Sequence, residues 1–322
     1  MRRLHQVLLA FLGAALLALS AAAASLRSDV LFLLPKESGE VAFIDLQALR
    51  RSPHYEVIKR RMLPQRFAQF ERFVRSTGVD VDKDLEWLAW VLVPPGPDNP
   101  EELFLGLAQG QFRPEAVEKF FLQQKLPLDA YRGQTLFPFG SGRGARDFFF
   151  TFLDSSTGAF GTRRSIELLL ETRFGAHENL LYNETLFARL NEVNGRAPVW
   201  AVFDTYYTRL AVRQLVPEAA KFEQFSRLAE RFRSSLLRLS LDREMTLSFQ
   251  AWCAQPLDAQ VLSLLLQTGL VAQSWVVQKS NPALSSVLSN AEVNSAGERL
   301  EVRVAIDEKD LRALLEQQSP LF

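Results

Sequence analysis

The segment FGSGRGARDFFF contains three glycines, Gly140, Gly142 and Gly144, at alternate positions. Glycine runs of this kind bind phosphate groups when a helix follows them directly, because the first N–H groups of that helix face the phosphate. Here the next residues, FFFTFLD, favour a strand, and no Lys-Ser or Lys-Thr pair follows the glycines. The segment therefore predicts a turn between two antiparallel strands, with no cofactor-binding residue.

Histidine and cysteine, which often serve as metal ligands and catalytic groups, are scarce. The chain has three histidines, His5, His54 and His177, and one cysteine, Cys253. No two histidines have the spacing of a zinc-binding helix, and no GxSxG motif supplies a serine nucleophile. Cys253 ends the alternating segment LSFQAWC, so we expect it on the buried face of a strand, packing as a small apolar residue.

Alternating carboxylates in DVDKDLE are similar to the start of a calcium-binding loop. Asp80, Asp82 and Asp84 occupy the right positions, but Leu85 stands where the loop requires glycine, and Val91 replaces the final glutamate. The pattern instead predicts the polar start of a strand. The sequence as a whole thus predicts no catalytic, cofactor-binding or metal-binding residue, no cofactor, and a protein that is not an enzyme.

Hydrophobic periodicity predicts the elements around these residues. A strand at Val41–Leu46 is followed by a helix whose stripe includes Phe67, Phe70 and Val74, by the strands LEWLAWVLV and LFLGLAQG, and by a helix at Pro114–Gln123. The same order recurs from Val199. Its predicted elements are a strand at Val199–Phe203, a helix at Lys221–Arg231 with a stripe through Phe232, a hairpin turning at Asp242-Arg243-Glu244, and a helix at Leu257–Leu266.

This recurrence predicts an α+β fold of two related strand-helix-strand-strand-helix units, each an antiparallel sheet covered by helices. The clearest local similarity between the two units is that of RFAQFERFVRS to KFEQFSRLAER. Chance similarity of amphipathic elements stays open as the alternative to duplication. The predicted domains are a signal peptide at 1–24, a first unit at 25–195 with an extra hairpin and two helices, and a second unit at 196–322.

The first 24 residues have the three parts of a secretory signal peptide. Arg2 and Arg3 form a basic start, Val7–Leu19 has no polar side chain, and Ala22-Ala23-Ala24 provides small residues for cleavage. No cysteine lies near the cleavage point, so a lipoprotein anchor is not expected. We also expect no later stretch apolar and long enough to span a bilayer, and hence a periplasmic or secreted protein.

Composition narrows the class of partner. The 322 residues include 37 basic and 37 acidic side chains, so no overall positive charge draws the chain to nucleic acid. Hydrophobic residues make up 48% of the chain, enough to fill a core and exclude general disorder. Phenylalanines recur at helical spacing and could line a cavity for an acyl chain, although core packing is the favoured interpretation; they are Phe67, Phe70, Phe73, Phe222, Phe225 and Phe232.

Three segments carry a resemblance to uncharacterised exported bacterial proteins with a tandem α+β layout: LPKESGEVAFIDLQALRRSP, GAFGTRRSIELLLE and GERLEVRVAIDEKDLRALL. The resemblance implies an exported protein and no active site. We therefore expect a non-catalytic binding or envelope-associated protein whose partner is an envelope component or a hydrophobic ligand. A carrier or sensor of a hydrophobic ligand such as a lipid is the first alternative, and a hydrolase with an unrecognised site is the second.

Overall fold

The computed structural model describes residues 24–51, 55, 71, 74–75, 79–97, 99–139, 147–215, 229–241 and 245–316. The chain divides into two compact units. The N-terminal unit comprises Ala24–Gln47 and Pro64–Phe187, and the C-terminal unit comprises Ala188–Phe322 together with Ala48–Leu63. Each unit combines helices with antiparallel strands, so the predicted α+β class is confirmed.

Seven described strands form the sheet of the N-terminal unit, in the order β1-β2-β3-β7-β6-β5-β4. They are β1 (Glu40–Asp45), β2 (Leu85–Val93), β3 (Leu103–Gly110), β4 (Asp129–Tyr131), β5 (Gln134–Pro138), β6 (Phe148–Phe152) and β7 (Thr157–Thr162). The helices described with them are α1 (Ser28–Leu31), α2 (Leu46–Arg50), which crosses into the C-terminal unit at Ala48, α3 (Val81–Asp84), α4 (Pro114–Gln123) and α5 (Arg163–Arg173). All the pairings within this unit are antiparallel.

Close packing of phenylalanine on glycine holds the middle of this sheet together. Gly106 on β3 pairs directly with Phe160 on β7, and Gly158 on β7 faces the ring of Phe150 on β6. The rings of Phe150 and Phe152 meet edge-on with centroids 4.7 Å apart. Because glycine has no side chain, large rings can lie flat over the neighbouring strand and fill the core without a void.

Five described strands form the sheet of the C-terminal unit, in the order β11-β12-β10-β9-β8. They are β8 (Val199–Phe203), β9 (Phe232–Leu241), β10 (Met245–Cys253), β11 (Glu292–Ala296) and β12 (Arg299–Ile306). The described helices are α6 (Glu184–Val193), which crosses the boundary between the units in sequence, α7 (Thr205–Leu215), α8 (Pro256–Val277), α9 (Pro282–Ser289) and α10 (Glu308–Glu316). Again all the pairings within the unit are antiparallel.

Local sequence signals placed many elements correctly. Asn183 caps α6 by accepting a hydrogen bond from the Leu186 N–H at 3.1 Å. Gly175 and Gly195 have positive φ just beyond the ends of α5 and α6, as helix-terminating glycines do. The hairpin of β11 and β12 turns at Gly297, which also has positive φ. Each of these features depends on residues adjacent in the chain.

The strand predicted at Val199–Phe203 is confirmed as β8, and Asp204 then accepts a hydrogen bond from the Tyr207 N–H at the start of α7. Two other local predictions are wrong. Phe232, predicted on a helix, is the first residue of β9, although it is fully buried as expected. The polar strand start at Asp80–Asp84 is a single helical turn, α3, capped by Asp80.

Other predictions fall partly or wholly outside the described residues. The signal peptide at 1–24, the glycine turn at 140–144 and the phenylalanines 67, 70, 73, 222 and 225 belong to this group. The strands on either side of the glycine segment are described, and they pair antiparallel with Phe137 opposite Phe150. Val74, the last member of the first predicted helical stripe, is buried.

Candidate functional site

Helix α8 is the longest described helix and has an apolar surface on two sides. It starts at Pro256, whose fixed φ suits the first helical position, and Asp258 lies in the first turn, where the helix dipole favours a negative charge. One side packs against β11, β12 and α9. The buried residues on that side are Ala259, Leu262, Ser263, Leu266, Leu270 and Ser274.

The opposite side of α8 leaves large apolar side chains in solvent. Leu264 is 67% exposed and Trp275 is 72% exposed, values typical of polar surface residues. We call this surface the outer face of α8. Its members are Leu257, Leu264, Leu265, Val271, Trp275 and Val276.

Helical geometry aligns the centre of the outer face. At about 100° per residue, Leu257, Leu264, Val271 and Trp275 fall within about 40° of one another around the helix axis. Leu265 and Val276 widen the strip to roughly 140° on the same reckoning. Such a width matches the core-facing stripe of a globular helix, yet here it faces solvent.

Charge is absent along most of this helix. No Asp, Glu, Lys, Arg or His lies between Ala259 and Gln278, and the polar residues present are glutamine, serine and threonine. Within the described residues, α8 is the one helix that is long and apolar enough, by length and composition, to cross a membrane. Of its most apolar 18-residue stretch, 28% is buried. The expectation that no later stretch has this length and composition is therefore wrong, because the polar residues that interrupt α8 carry no charge.

The described residues that were considered for chemistry each have a local environment of their own, and His5 and His54 lie outside the described part of the chain. Cys253 is buried at the end of β10, where burial raises the pKa of its thiol to about 12, so the expected packing role is confirmed. His177 contacts Glu171 at 3.2 Å. Burial opposes ionisation of Glu171, but hydrogen bonds and charges from Tyr131, Arg164 and His177 together hold the pKa of that carboxyl below its usual range.

The alternating aspartates form a surface ion-pair cluster. Asp82 pairs with Arg75 at 2.5 Å, and Lys83 lies 3.4 Å from Asp80. Across the part of the chain that the structure describes, no group of three or more His, Cys, Asp and Glu side chains is arranged to hold a metal ion.

A shallow surface depression of about 540 Å³ lies in the N-terminal unit, lined by Lys36, Glu37, Glu178, Tyr182, Asn183 and Glu184. Its residues are engaged in local structure. Lys36 pairs with Glu178 at 2.6 Å, and the amide nitrogen of Asn183 donates to the carbonyls of Lys36 and Ser38 at 2.9 and 3.3 Å. Asn183-Glu184-Thr185 also matches the N-glycosylation motif, but a sugar on Asn183 would disrupt these two bonds.

Asp204 is a carboxylate with an unusual environment that sequence reasoning missed. Burial raises its pKa to about 6, although the N–H groups of Tyr207 and Tyr206 and the charge of Arg209 favour the ionised form. Its position explains the shift, because the carboxyl that caps α7 is also largely covered. The signal available in the sequence was the cap residue itself, Asp204 followed by a segment with apolar residues at helical spacing.

The chain has a distant likeness to a solved structure. It is similar to the structure of TP0453 in crystal form I, with a TM-score of 0.47 and 9% sequence identity over 88% of this chain and 95% of that chain. A likeness at this level indicates nothing about activity or partners. No protein-family model matches the chain, and no curated protein matches it in sequence.

Proposed function

We propose that the protein is an exported, non-catalytic binding protein of the cell envelope, and that the outer face of α8 is its binding surface. The observation that carries this proposal is the exposure of Leu264 and Trp275 within a continuous uncharged strip. Burial of one such side chain is worth about 1.5–3 kcal/mol. A contiguous apolar strip of this kind is typical of surfaces that a partner covers.

Export is supported by the composition of residues 1–24. A basic start, an apolar stretch and small residues at the cleavage point are the features that secretion requires. The protein then has its α8 surface in the periplasm or outside the cell, where envelope components are the available partners. The mature chain is expected to begin within a few residues of Ser25.

The two alternative functions have less support. The depression beside Lys36 does not supply the apolar cavity that a carrier of a hydrophobic ligand needs, because it is open and its lining residues include Lys36, Glu37 and Glu178. Phe232, the described member of the candidate acyl-chain lining, is fully buried in β9 and packs as a core residue. A hydrolase would need an activated nucleophile, and the raised pKa of Cys253 opposes thiolate formation.

The proposal includes an internal duplication of the strand-helix-strand-strand-helix unit. Strand order supports it, since β1, β2 and β3 are successive neighbours with β7 beside β3, while β8, β9 and β10 are successive neighbours with β12 beside β10. A helix follows the third strand in each unit, α4 in one and α8 in the other. If superposing these two sets of strands does not bring α4 onto the first half of α8, the duplication is wrong.

The functional proposal is tested by expression with the native leader in a Gram-negative host. We expect N-terminal sequencing to give a start near Ser25, and washed envelopes to retain the wild-type protein. The variant Leu264→Gln/Trp275→Gln should shift mostly to the soluble fraction, because both side chains are exposed and their replacement removes apolar binding surface without opening the core.

A matched control removes exposed apolar surface elsewhere. Leu122 and Phe174 are 63% and 52% exposed on the N-terminal unit, so Leu122→Gln/Phe174→Gln should leave envelope retention unchanged. Equal loss of envelope retention in the two double variants would indicate non-specific hydrophobic adsorption and contradict the proposal that the outer face of α8 is the binding surface. An intact Met1 on a cytosolic protein would contradict export.

A further inference from the structure

Resting on the proposed function, we infer that the partner covering the outer face of α8 is the interfacial region of a lipid bilayer, with α8 lying in the membrane plane. Its whole inward side is already packed against β11, β12 and α9. Crossing the bilayer would strip these contacts from the sheet. The helix can therefore offer one side to lipid while the other side keeps its protein neighbours.

The dimensions of the outer face favour a membrane over a second copy of the chain. The 22 residues of α8 give a helix about 33 Å long at 1.5 Å per residue. Six exposed apolar residues lie along that length, whereas a stable protein interface uses about 20–30 residues of each partner. Partition into a bilayer has no such minimum, since every apolar side chain that enters contributes independently.

The absence of charge argues against a partner helix. Leu264 and Val271 fit one core position of a coiled-coil heptad and Thr268 and Trp275 fit the other, so the spacing alone would allow a coiled coil. The flanking positions that normally carry Glu and Lys to select a partner are occupied instead by Leu265, Gln267 and Ala272 along the middle of the helix. Without charges at these flanking positions, the helix has no ion pairs with which to select a partner helix. The same uncharged residues can enter the bilayer interface without the free-energy cost of burying a charge.

The C-terminal end of α8 has the residues that anchor proteins at the membrane–water boundary. The Trp275 ring is the most exposed large apolar group of the described chain, and tryptophan is enriched at that boundary. Lys279, also exposed, lies in the turn that follows the end of α8 at Val277. Its long side chain can place its amine among headgroups while its methylenes remain with the apolar surface.

A lack of charge on the outer face makes a specific prediction about lipid composition. Binding should depend on apolar contact, so vesicles of pure phosphatidylcholine and vesicles containing phosphatidylglycerol should bind the mature protein within about twofold of each other, and salt should have little effect. Leu264→Gln/Trp275→Gln should lower the partition coefficient by more than about tenfold. Leu122→Gln/Phe174→Gln should leave it unchanged.

A second measurement locates the helix. Bromine-labelled phosphatidylcholine should quench the tryptophan fluorescence of the wild type on binding, and Trp275→Phe should keep most of the binding but lose most of the quenching. Binding only to anionic vesicles, with suppression by salt, would overturn the inference, since a basic surface would then be responsible.

Two further outcomes separate the inference from the functional proposal. If envelope retention depends on Leu264 and Trp275 but neither vesicle type is bound, the partner is a protein and the lipid inference is wrong while the binding surface stands. If sedimentation reveals a dimer that Leu264→Gln/Trp275→Gln dissociates, the outer face joins two copies and the inference is equally wrong.

Discussion

Gly106 lies directly opposite Phe160 in the pairing of β3 with β7, and a Cβ added at Gly106 would come within 2.2 Å of Phe160 Cζ. Phe160 is buried, so its ring has little room to move. We therefore predict that Gly106→Ala lowers the free energy of unfolding by about 1–3 kcal/mol, the usual cost of overpacking. Denaturant titration followed by circular dichroism measures the change.

The matched control for this substitution is Gly96, where an added Cβ meets no atom within 4 Å. Gly96→Ala should change stability by less than about 0.5 kcal/mol. In addition, Phe160→Leu should relieve the clash, so the double variant Gly106→Ala/Phe160→Leu should be more stable than the sum of the single effects predicts. Simple additivity would show that the ring is not the source of the cost.

Asn183 links the start of α6 to the segment before β1. Its side chain caps α6 and also donates to the carbonyls of Lys36 and Ser38. Asn183→Ala should therefore cost about 2–3 kcal/mol of unfolding free energy, since it removes a cap and leaves partly buried carbonyls without this donor. Thermal and chemical denaturation would measure the loss.

A second asparagine cap provides a reference for the loss of unfolding free energy expected of Asn183→Ala. Asn281 caps α9 by accepting from the Leu284 N–H at 2.9 Å, and Asn281→Ala should cost about 1 kcal/mol, the typical value of a cap. An equal loss for the two variants would mean that the bonds from Asn183 to Lys36 and Ser38 contribute nothing.

Asp204 should make the protein less stable as pH rises. Its pKa is raised from 3.8 to about 6 in the folded chain, so between these values the folded state holds more protons than the unfolded state and stability falls with increasing pH. Above pH 6 the penalty is constant at about 3 kcal/mol, and below pH 3.8 it is absent. Asp204→Asn keeps a good cap and should raise stability at pH 7 by about 1–3 kcal/mol, with little effect at pH 3.5.

The opposite behaviour is expected at Asp154. Burial opposes its ionisation, but hydrogen bonds from Ser156 and Thr157 hold the pKa of this carboxyl below its usual value. Asp154→Asn should thus lower stability at pH 7, and the difference should shrink as pH falls through the pKa of the folded state. Urea unfolding at several pH values tests the predictions for Asp204→Asn and Asp154→Asn. If the free energy of unfolding changed with pH in the same way for the wild type and Asp204→Asn, the raised pKa of Asp204 would be contradicted.

Sequence reasoning succeeded where a signal and its consequence are neighbours in the chain. The helix predicted at Pro114–Gln123 is α4, and the second predicted hairpin pairs β9 with β10 and places Leu247 opposite Leu239. Each depends on backbone geometry within a few residues. The strand β4 was missed, although Arg132 and Gly133 both have positive φ at its hairpin turn, because three residues are too few to form a periodic pattern.

Phe232 shows where a periodic signal is ambiguous. Phe232 and Leu236 are four residues apart, and this spacing places two side chains on one face of a helix or on one face of a strand. Pairing of Leu236 with Val202 and Gln250 on adjacent strands decides for the strand. The strands that pair with β9 are β8 and β10, and the paired residues are not close to Leu236 in the chain. A short stretch of sequence around Phe232 therefore does not contain the contacts that make it a strand.

The sequence by itself predicted a helix at Leu257–Leu266 and placed no charged residue between Ala259 and Gln278, and the structure shows this helix, α8, continuing to Val277. The sequence could not determine which side would be buried, because apolar residues surround the helix and no polar stripe marks an outward direction. The tertiary structure decided this by packing Leu262, Leu266 and Leu270 inward and leaving Leu264 and Trp275 in solvent. The physical reason is that burial depends on which neighbours the fold brings to a helix, and β11, β12 and α9 can cover only one side of α8.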